Sequence, residues 1–157
     1  MSQTHLTAEQ GQHDITMTRI FDAPRELVFK TMTDAKHIAK WWGPRQYTTT
    51  VDQLEVKPGG LWRFVQTGKD GSEFAFHGVY HSITAPQQAV YTFEFEGMPG
   101  HVMLETVTLE ALADGKTKLI VTGAFQTVAD RNGMIESGME QGANESYDRL
   151  AELLATL

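Results

Sequence analysis

The feature that most limits what this chain can fold into is a change of period near residue 127. From Tyr47 to Phe125 apolar and polar residues alternate, the two-residue repeat of β-strands. Beyond Thr127 the repeat lengthens: Met139, Ala143, Tyr147, Leu150 and Leu154 recur at three- and four-residue steps, one face of an α-helix. Six strands are predicted in the first stretch, at 47–56, 61–67, 74–84, 89–96, 103–112 and 116–125, separated by turn-forming segments such as Gly68-Lys69-Asp70-Gly71 and Asp114-Gly115. A helix is predicted over 129–157, with a bend near Gly138 or Gly142. Upstream, 13–21 alternates as a further strand, with Ile15, Met17, Arg19 and Phe21 in one phase. Asp22-Ala23-Pro24 then opens a short helix, capped at Asp22 or Ala23, and Thr33-Asp34 opens a second one.

An antiparallel sheet of about seven strands buries one face only if it curves around the final helix. From Met139 to Thr156 that helix spans on the order of 27 Å, about the length of an eight-residue strand. It can therefore cross the whole sheet. The expected architecture is α+β, a curved antiparallel sheet gripping a long C-terminal helix, with two small helices after the first strand. Residues 1–12 read as a flexible polar tail and 13–157 as a single domain. A gap is expected wherever the curved sheet and the helix diverge. Trp62, Phe64, Tyr91, Phe93, Phe95, Val107, Leu109, Leu119 and Val121 have the phase of its concave wall.

Trp41-Trp42-Gly43-Pro44 bears on that gap. Each indole can bury roughly 150–250 Å², on the order of 4–6 kcal/mol of favourable transfer. Neighbours on a helix point about 100° apart, so one ring can enter a core while the other faces elsewhere. Gly-Pro then ends the helix, leaving the pair beside a loop, where an indole suits the rim of a cavity. The alternative is that both rings close a core.

Composition narrows the possible partners. The formal net charge is −7 and the basic residues are scattered, which argues against nucleic acid and anionic membranes. Residues 1–12 lack the pattern of a secretory signal, and no run of 18 apolar residues is present. Cysteine is absent, excluding disulfides and thiolate chemistry and pointing to the reducing cytoplasm.

Several blocks resemble the START-like superfamily: Ala23-Pro24-Arg25-Glu26-Leu27-Val28-Phe29, Trp41-Trp42-Gly43-Pro44, Pro58-Gly59-Gly60-Leu61-Trp62, His77-Gly78-Val79-Tyr80 and Glu145-Ser146-Tyr147-Asp148-Arg149-Leu150. Within it, the chain is similar to single-domain proteins related to the activator of Hsp90 ATPase. The resemblance implies a helix-grip fold with a cavity between sheet and long helix. It implies no particular reaction, because lipid carriers, receptors and polyketide cyclases share that fold. Nor does it carry over a co-chaperone role. The eukaryotic activator makes its main chaperone contacts through an additional domain marked by an Asn-rich stretch with Trp-His-Trp, which these 157 residues lack.

No complete catalytic or metal set stands out. His77 and His81 fall on one strand, where four residues span about 13 Å, too far apart to share an ion that needs ligands at about 2 Å. There is no Gly-x-Ser-x-Gly elbow, and Gly59-Gly60 reads as a turn or bulge. Polar residues in the inward phase are better candidates. Glu105 shares a face with Val107 and Leu109, with Arg63 or His77 opposite depending on register. Enclosed there it would serve as a general acid or base; the simpler expectation is that it lies near the strand end, at an open mouth, and stays solvated. Glu140, Glu145, Asp148 and Glu152 read as a solvated helix face.

The expected function is therefore binding of a small hydrophobic or amphipathic molecule, with no cofactor and no metal. The pocket residues would be Trp41, Trp42, Trp62, Phe64, His77, Tyr91, Phe93, Glu105, Met139, Ala143 and Tyr147. The alternatives are a cyclase- or hydrolase-like enzyme using Glu105, His77 or Arg63 in the same cavity, and a chaperone-linked interaction module.

Overall fold

The computed structural model describes residues 3–157. An eight-stranded antiparallel sheet forms its frame: β1 (His5–Thr7), β2 (Asp14–Phe21), β3 (Tyr47–Leu54), β4 (Leu61–Gly68), β5 (Glu73–Thr84), β6 (Gln88–Phe95), β7 (Val102–Ala111) and β8 (Thr117–Phe125). Four helices complete the fold, α1 (Arg25–Thr33), α2 (Ala35–Trp41), α3 (Val128–Glu136) and α4 (Met139–Leu154). The spatial order β1-β2-β8-β7-β6-β5-β4-β3 leaves β1 and β3 at the two edges.

The sheet therefore has one strand more than the seven expected. The extra one comes from the segment predicted to be a flexible tail: His5, Leu6 and Thr7 pair with Thr18, Met17 and Thr16 of β2. Three residues held through main-chain bonds leave almost no periodic signal, so the strand is invisible in the sequence.

The alternating positions of β2 turn inward as its pattern predicts. Ile15, Met17, Arg19 and Phe21 are buried, together with Leu109 of β7 and Leu119 and Val121 of β8. Against them pack Val28 of α1 and Leu150 and Leu154 of α4, forming the larger core. A second core joins Ile38 of α2 to Trp62, Phe64 and Tyr80. Buried Trp41 belongs to the first core, and half-buried Trp42 packs against both. The indole pair thus bridges the two halves of the interior.

Helix starts follow local chemistry. Asp34 caps α2 by accepting the Lys36 amide at 2.8 Å, and Thr127 caps α3 by accepting the Asp130 amide at 3.0 Å. At α1 the cap position falls on Pro24, one or two residues later than expected, with no side-chain cap. The predicted C-terminal helix is broken rather than bent. Ser137 ends α3, and Gly138 at φ 86° occupies the left-handed region that glycine enters without steric penalty.

Glu140, Glu145, Asp148 and Glu152 do not form one uniform solvated face. Asp148 meets the buried Arg19 guanidinium at 2.7 Å, and that cation also lies 5.6 Å from the Phe21 ring centre. Glu152 pairs with Arg45 at 2.7 Å, and Glu145 accepts the Arg45 backbone amide at 3.1 Å.

Candidate functional site

The sheet and α4 diverge where expected, and a cavity of about 630 Å³ lies between them. Its sheet wall comes from the inward phases of β2 and β6–β8, including Ile15, Met17, Tyr91, Phe93, Met103, Val107 and Phe125. The helix wall is built by Met139, Ala143 and Tyr147, with Met134 and the Ser137-Gly138 break at one end. Trp41, Trp42, Gly43 and Pro44 supply the remaining side.

That side is fastened to α4 by several hydrogen bonds. Ser146 Oγ accepts the Gly43 amide at 3.1 Å and donates to the Trp41 carbonyl at 3.3 Å. Arg149 donates to the Gly43 carbonyl at 2.9 Å and to the Lys40 carbonyl at 2.9 Å. Trp41 is further fixed by its Nε1 donating to the Thr31 carbonyl at 3.1 Å and by stacking on Tyr147, ring centres 6.4 Å apart. Trp42 stands edge-on to Phe64 at 5.1 Å and to Phe76 at 5.3 Å. At φ 93°, Gly43 has a conformation that disfavours side chains, and a Cβ there would strike the Gln66 amide.

On the sheet wall two polar side chains, Glu105 and Gln66, stand among apolar ones, while Gln46, Ser137, Gln141, Glu145 and Ser146 add polar lining from the loop and helix side. Glu105 sits mid-strand on β7, directly opposite Tyr91 of β6, whose hydroxyl donates to Glu105 Oε2. Glu105 thus lies within the strand, half-buried, and not near a strand end as expected. Partial burial among the cavity walls disfavours the charged form and raises its pKa, an effect that the Tyr91 bond opposes. Desolvation is also the main cause of the raised tyrosine values nearby: Tyr91 lies well above the ordinary range, Tyr147 is raised as well, and Tyr80 is pushed up to about 12. These phenols stay neutral, and among the described residues no lysine, arginine or histidine lines the cavity.

The second polar group is Gln66 on β4, 5% exposed. Its side-chain amide has no hydrogen-bond partner among the described residues and borders the cavity. Gln66 follows Trp62 and Phe64 in the same inward phase, so strand alternation alone could have identified it. Ser146 was missed for a different reason: its contacts join α4 to a loop about a hundred residues away in sequence.

Of the residues singled out from the sequence, Trp41, Trp42, Tyr91, Phe93, Glu105, Met139, Ala143 and Tyr147 line the main cavity. Trp62 and Phe64 line a smaller adjoining space of about 70 Å³, which Glu105 also borders. His77 lies elsewhere. Register pairs it with Arg63 on the outer face of the sheet, where its Nδ1 is 2.9 Å from Glu96 Oε2. Arg63 bonds Glu96 through Nε at 2.8 Å and Nη2 at 3.0 Å. Neither residue can serve chemistry inside the cavity, so the expectation that His77 or Arg63 would face Glu105 is corrected by one residue of phase. Among the described residues no group of three or more His, Asp or Glu side chains is arranged to hold a metal ion, and no helix is long and apolar enough to cross a membrane.

Solved structures with this architecture are numerous. A protein from Rhodobacter sphaeroides superposes with a TM-score of 0.91 at 23% identity, covering 99% of each chain. One from Arthrobacter aurescens gives 0.88 at 24% identity over 98% of this chain and 92% of that one. The AHSA1 protein of Silicibacter pomeroyi gives 0.76 at 22% identity over 91% and 98%. At such identities the likeness establishes the helix-grip fold. No curated protein matches the sequence. The family model described as activator of Hsp90 ATPase homolog 1-like protein matches residues 22–155, and the chain belongs to that family.

Proposed function

We propose that this protein binds a small hydrophobic or amphipathic molecule in the cavity between the sheet and α4. The observation that carries this reading is the cavity itself: about 630 Å³ of space, within the range of small-molecule sites, with a sheet wall of mainly aromatic and aliphatic side chains and polar groups such as Gln66, Glu105, Gln141 and Glu145 among the lining. A fold that needed these aromatics only as core would close over them, since interiors pack densely and leave few voids larger than a water molecule. Ala143 supports the reading because a small residue on the helix wall keeps the space open. Apolar burial would dominate affinity, with Tyr91 and Glu105 orienting the ligand.

The test uses N-phenyl-1-naphthylamine, an uncharged dye that brightens in apolar surroundings. Saturable brightening is expected with the native protein, accompanied by a change in emission from Trp41 and Trp42. Ala143→Phe should abolish both signals while leaving the urea midpoint close to native. A native protein that gives no saturable signal, by dye or by tryptophan emission, would refute the binding reading.

A second reading is favoured by one specific observation, the enclosed Glu105 carboxyl bonded by Tyr91. A glutamate whose carboxyl pKa is raised by desolvation beside a bound molecule has the chemistry of a general acid or base toward it. This is the arrangement that a cyclase- or hydrolase-like reaction would use. Turnover abolished by Glu105→Gln with binding retained would support it. The family is also compatible with a chaperone contact.

A further inference from the structure

We infer that the cavity selects amphipathic amines, molecules with a protonated nitrogen on an aromatic or alkyl body, and excludes the corresponding carboxylates. This rests on the reading of the cavity as a binding site and names the class of ligand it takes. The argument comes from the charges of the lining. The cavity and the adjoining space are bordered by two ionisable acids, Glu105 and Glu145, and among the described residues by no lysine, arginine or histidine. Glu145, at the protein surface, accepts the Arg45 amide. Among the described residues Glu105 has the Tyr91 hydroxyl alone as a hydrogen-bond partner. The buried cation of this region, Arg19, is paired with Asp148 and is absent from the lining.

A carboxylate enclosed without a counter-charge is unfavourable, and a ligand that brings a cation supplies what the protein omits. The surrounding rings add to that. Tyr91, Tyr147 and Trp41 present aromatic surface to the same space, and ring faces attract ammonium groups. The titratable groups electrostatically coupled to Glu105 are tyrosines from three elements, Tyr80 of β5, Tyr91 of β6 and Tyr147 of α4; all are raised and neutral, so none competes as a cation. A carboxylate ligand would meet the reverse situation, a second anion with no donor of positive charge.

Gln66 completes the site at its other end. Register places Gln66 opposite Phe74 of β5, while Glu105 aligns through Tyr91 with Tyr80 of the same strand. The two levels lie six residues apart along β5, on the order of 20 Å for an extended strand. The unpartnered Gln66 amide would thus take a neutral polar group at the far end of an elongated ligand, with the ammonium at Glu105.

Three probes sharing one tail isolate the charge: decylamine, decanol and decanoate, titrated calorimetrically at neutral pH into the full chain. Decylamine is expected to bind at least about tenfold tighter than decanol, and decanoate at least about tenfold weaker. In Glu105→Gln the preference for amine over alcohol should collapse toward one, with decanol affinity kept. Glu152→Gln, at a carboxylate paired with Arg45 outside the lining, should leave the preference within about twofold. Decanoate binding as tightly as decylamine, or an amine preference that survives Glu105→Gln, overturns the inference while the dye test still upholds a binding site. Absence of heat from all three probes, with no dye binding, overturns the inference and the binding reading together.

Discussion

Glu105 and Glu96 project from opposite faces of the same sheet, and their surroundings drive their carboxyls in opposite directions. Glu96, on the outer face, accepts two bonds from Arg63 and lies beside His77, and the Arg63 bonds hold its pKa down to about 2 from 4.5. Glu105, on the inner face, has a tyrosine instead of a cation, and loss of water raises its pKa. The residue type is the same; the difference is whether positive charge was placed beside it. On the outer face the charges are satisfied by neighbours of opposite sign, Asp52 included. On the inner face the fold leaves one unsatisfied, and that asymmetry is what marks the inner face as a place for a ligand.

The sharpest way to test the two faces is to remove what each depends on. The largest effect is expected from Leu150→Ala, because Leu150 is fully buried between α4 and the concave face. Its truncation should destabilise by about 2–5 kcal/mol in urea melts. A value near zero would mean that α4 is not gripped by the sheet.

Glu105→Gln comes next and should act with the opposite sign. A folded-state pKa above the unfolded one means that stability is full below the unfolded value and falls as pH rises through the folded value. The variant and native midpoints should therefore lie close together at pH 4, and the variant should be the more stable at pH 8. Equal gaps at both pH values would show that Glu105 is solvated after all.

Glu96→Gln should give a smaller effect with the mirror-image dependence. Its lowered pKa makes its contribution present above about 4.5 and lost as pH falls toward about 2. The variant should be slightly less stable than native protein at pH 7 and indistinguishable from it near pH 2. A deficit that persists at the lowest pH would trace the loss to packing. Smallest of all is Glu152→Ala, expected within about 0.5 kcal/mol, since its partner Arg45 is itself half exposed. A drop comparable to that of Leu150→Ala would overturn the assignment of the helix faces.

Much of this was legible in the sequence, and the misses share a cause. Period located seven of the strands, the two small helices and the long one, because each buries a stripe or a face whose repeat is written in residue order. Phase along a strand likewise brought Tyr91, Phe93 and Glu105 to one wall. What period cannot supply is alignment between strands. His77 was assigned to the cavity because a shift of one residue exchanges the two faces, and only the pairing with Arg63 decides it. Enclosure of Glu105 depends on how far α4 and the Trp41-Trp42 loop reach over β7, a property of the assembled layers. Arg19 lay in plain view in the inward phase of β2. Its pairing with Asp148 joins a strand to a helix more than a hundred residues later, so alternation could place the cation but not its partner.

The amino-terminal edge strand has a consequence for how the chain tolerates shortening. Arg131 on α3, 3% exposed, donates to the backbone carbonyls of Glu9 and Asp14, and Arg19 reaches the Thr4 hydroxyl at 3.3 Å. Asn144 of α4 accepts the Thr4 amide at 3.4 Å. Two interior guanidinium groups thus use the first residues as their acceptors. Deleting residues 1–12 would strip the Thr4 and Glu9 oxygens away and leave buried donors unsatisfied, at a cost of about 1–3 kcal/mol for each. A segment that looks dispensable by composition is therefore the plug for charges sealed inside the domain.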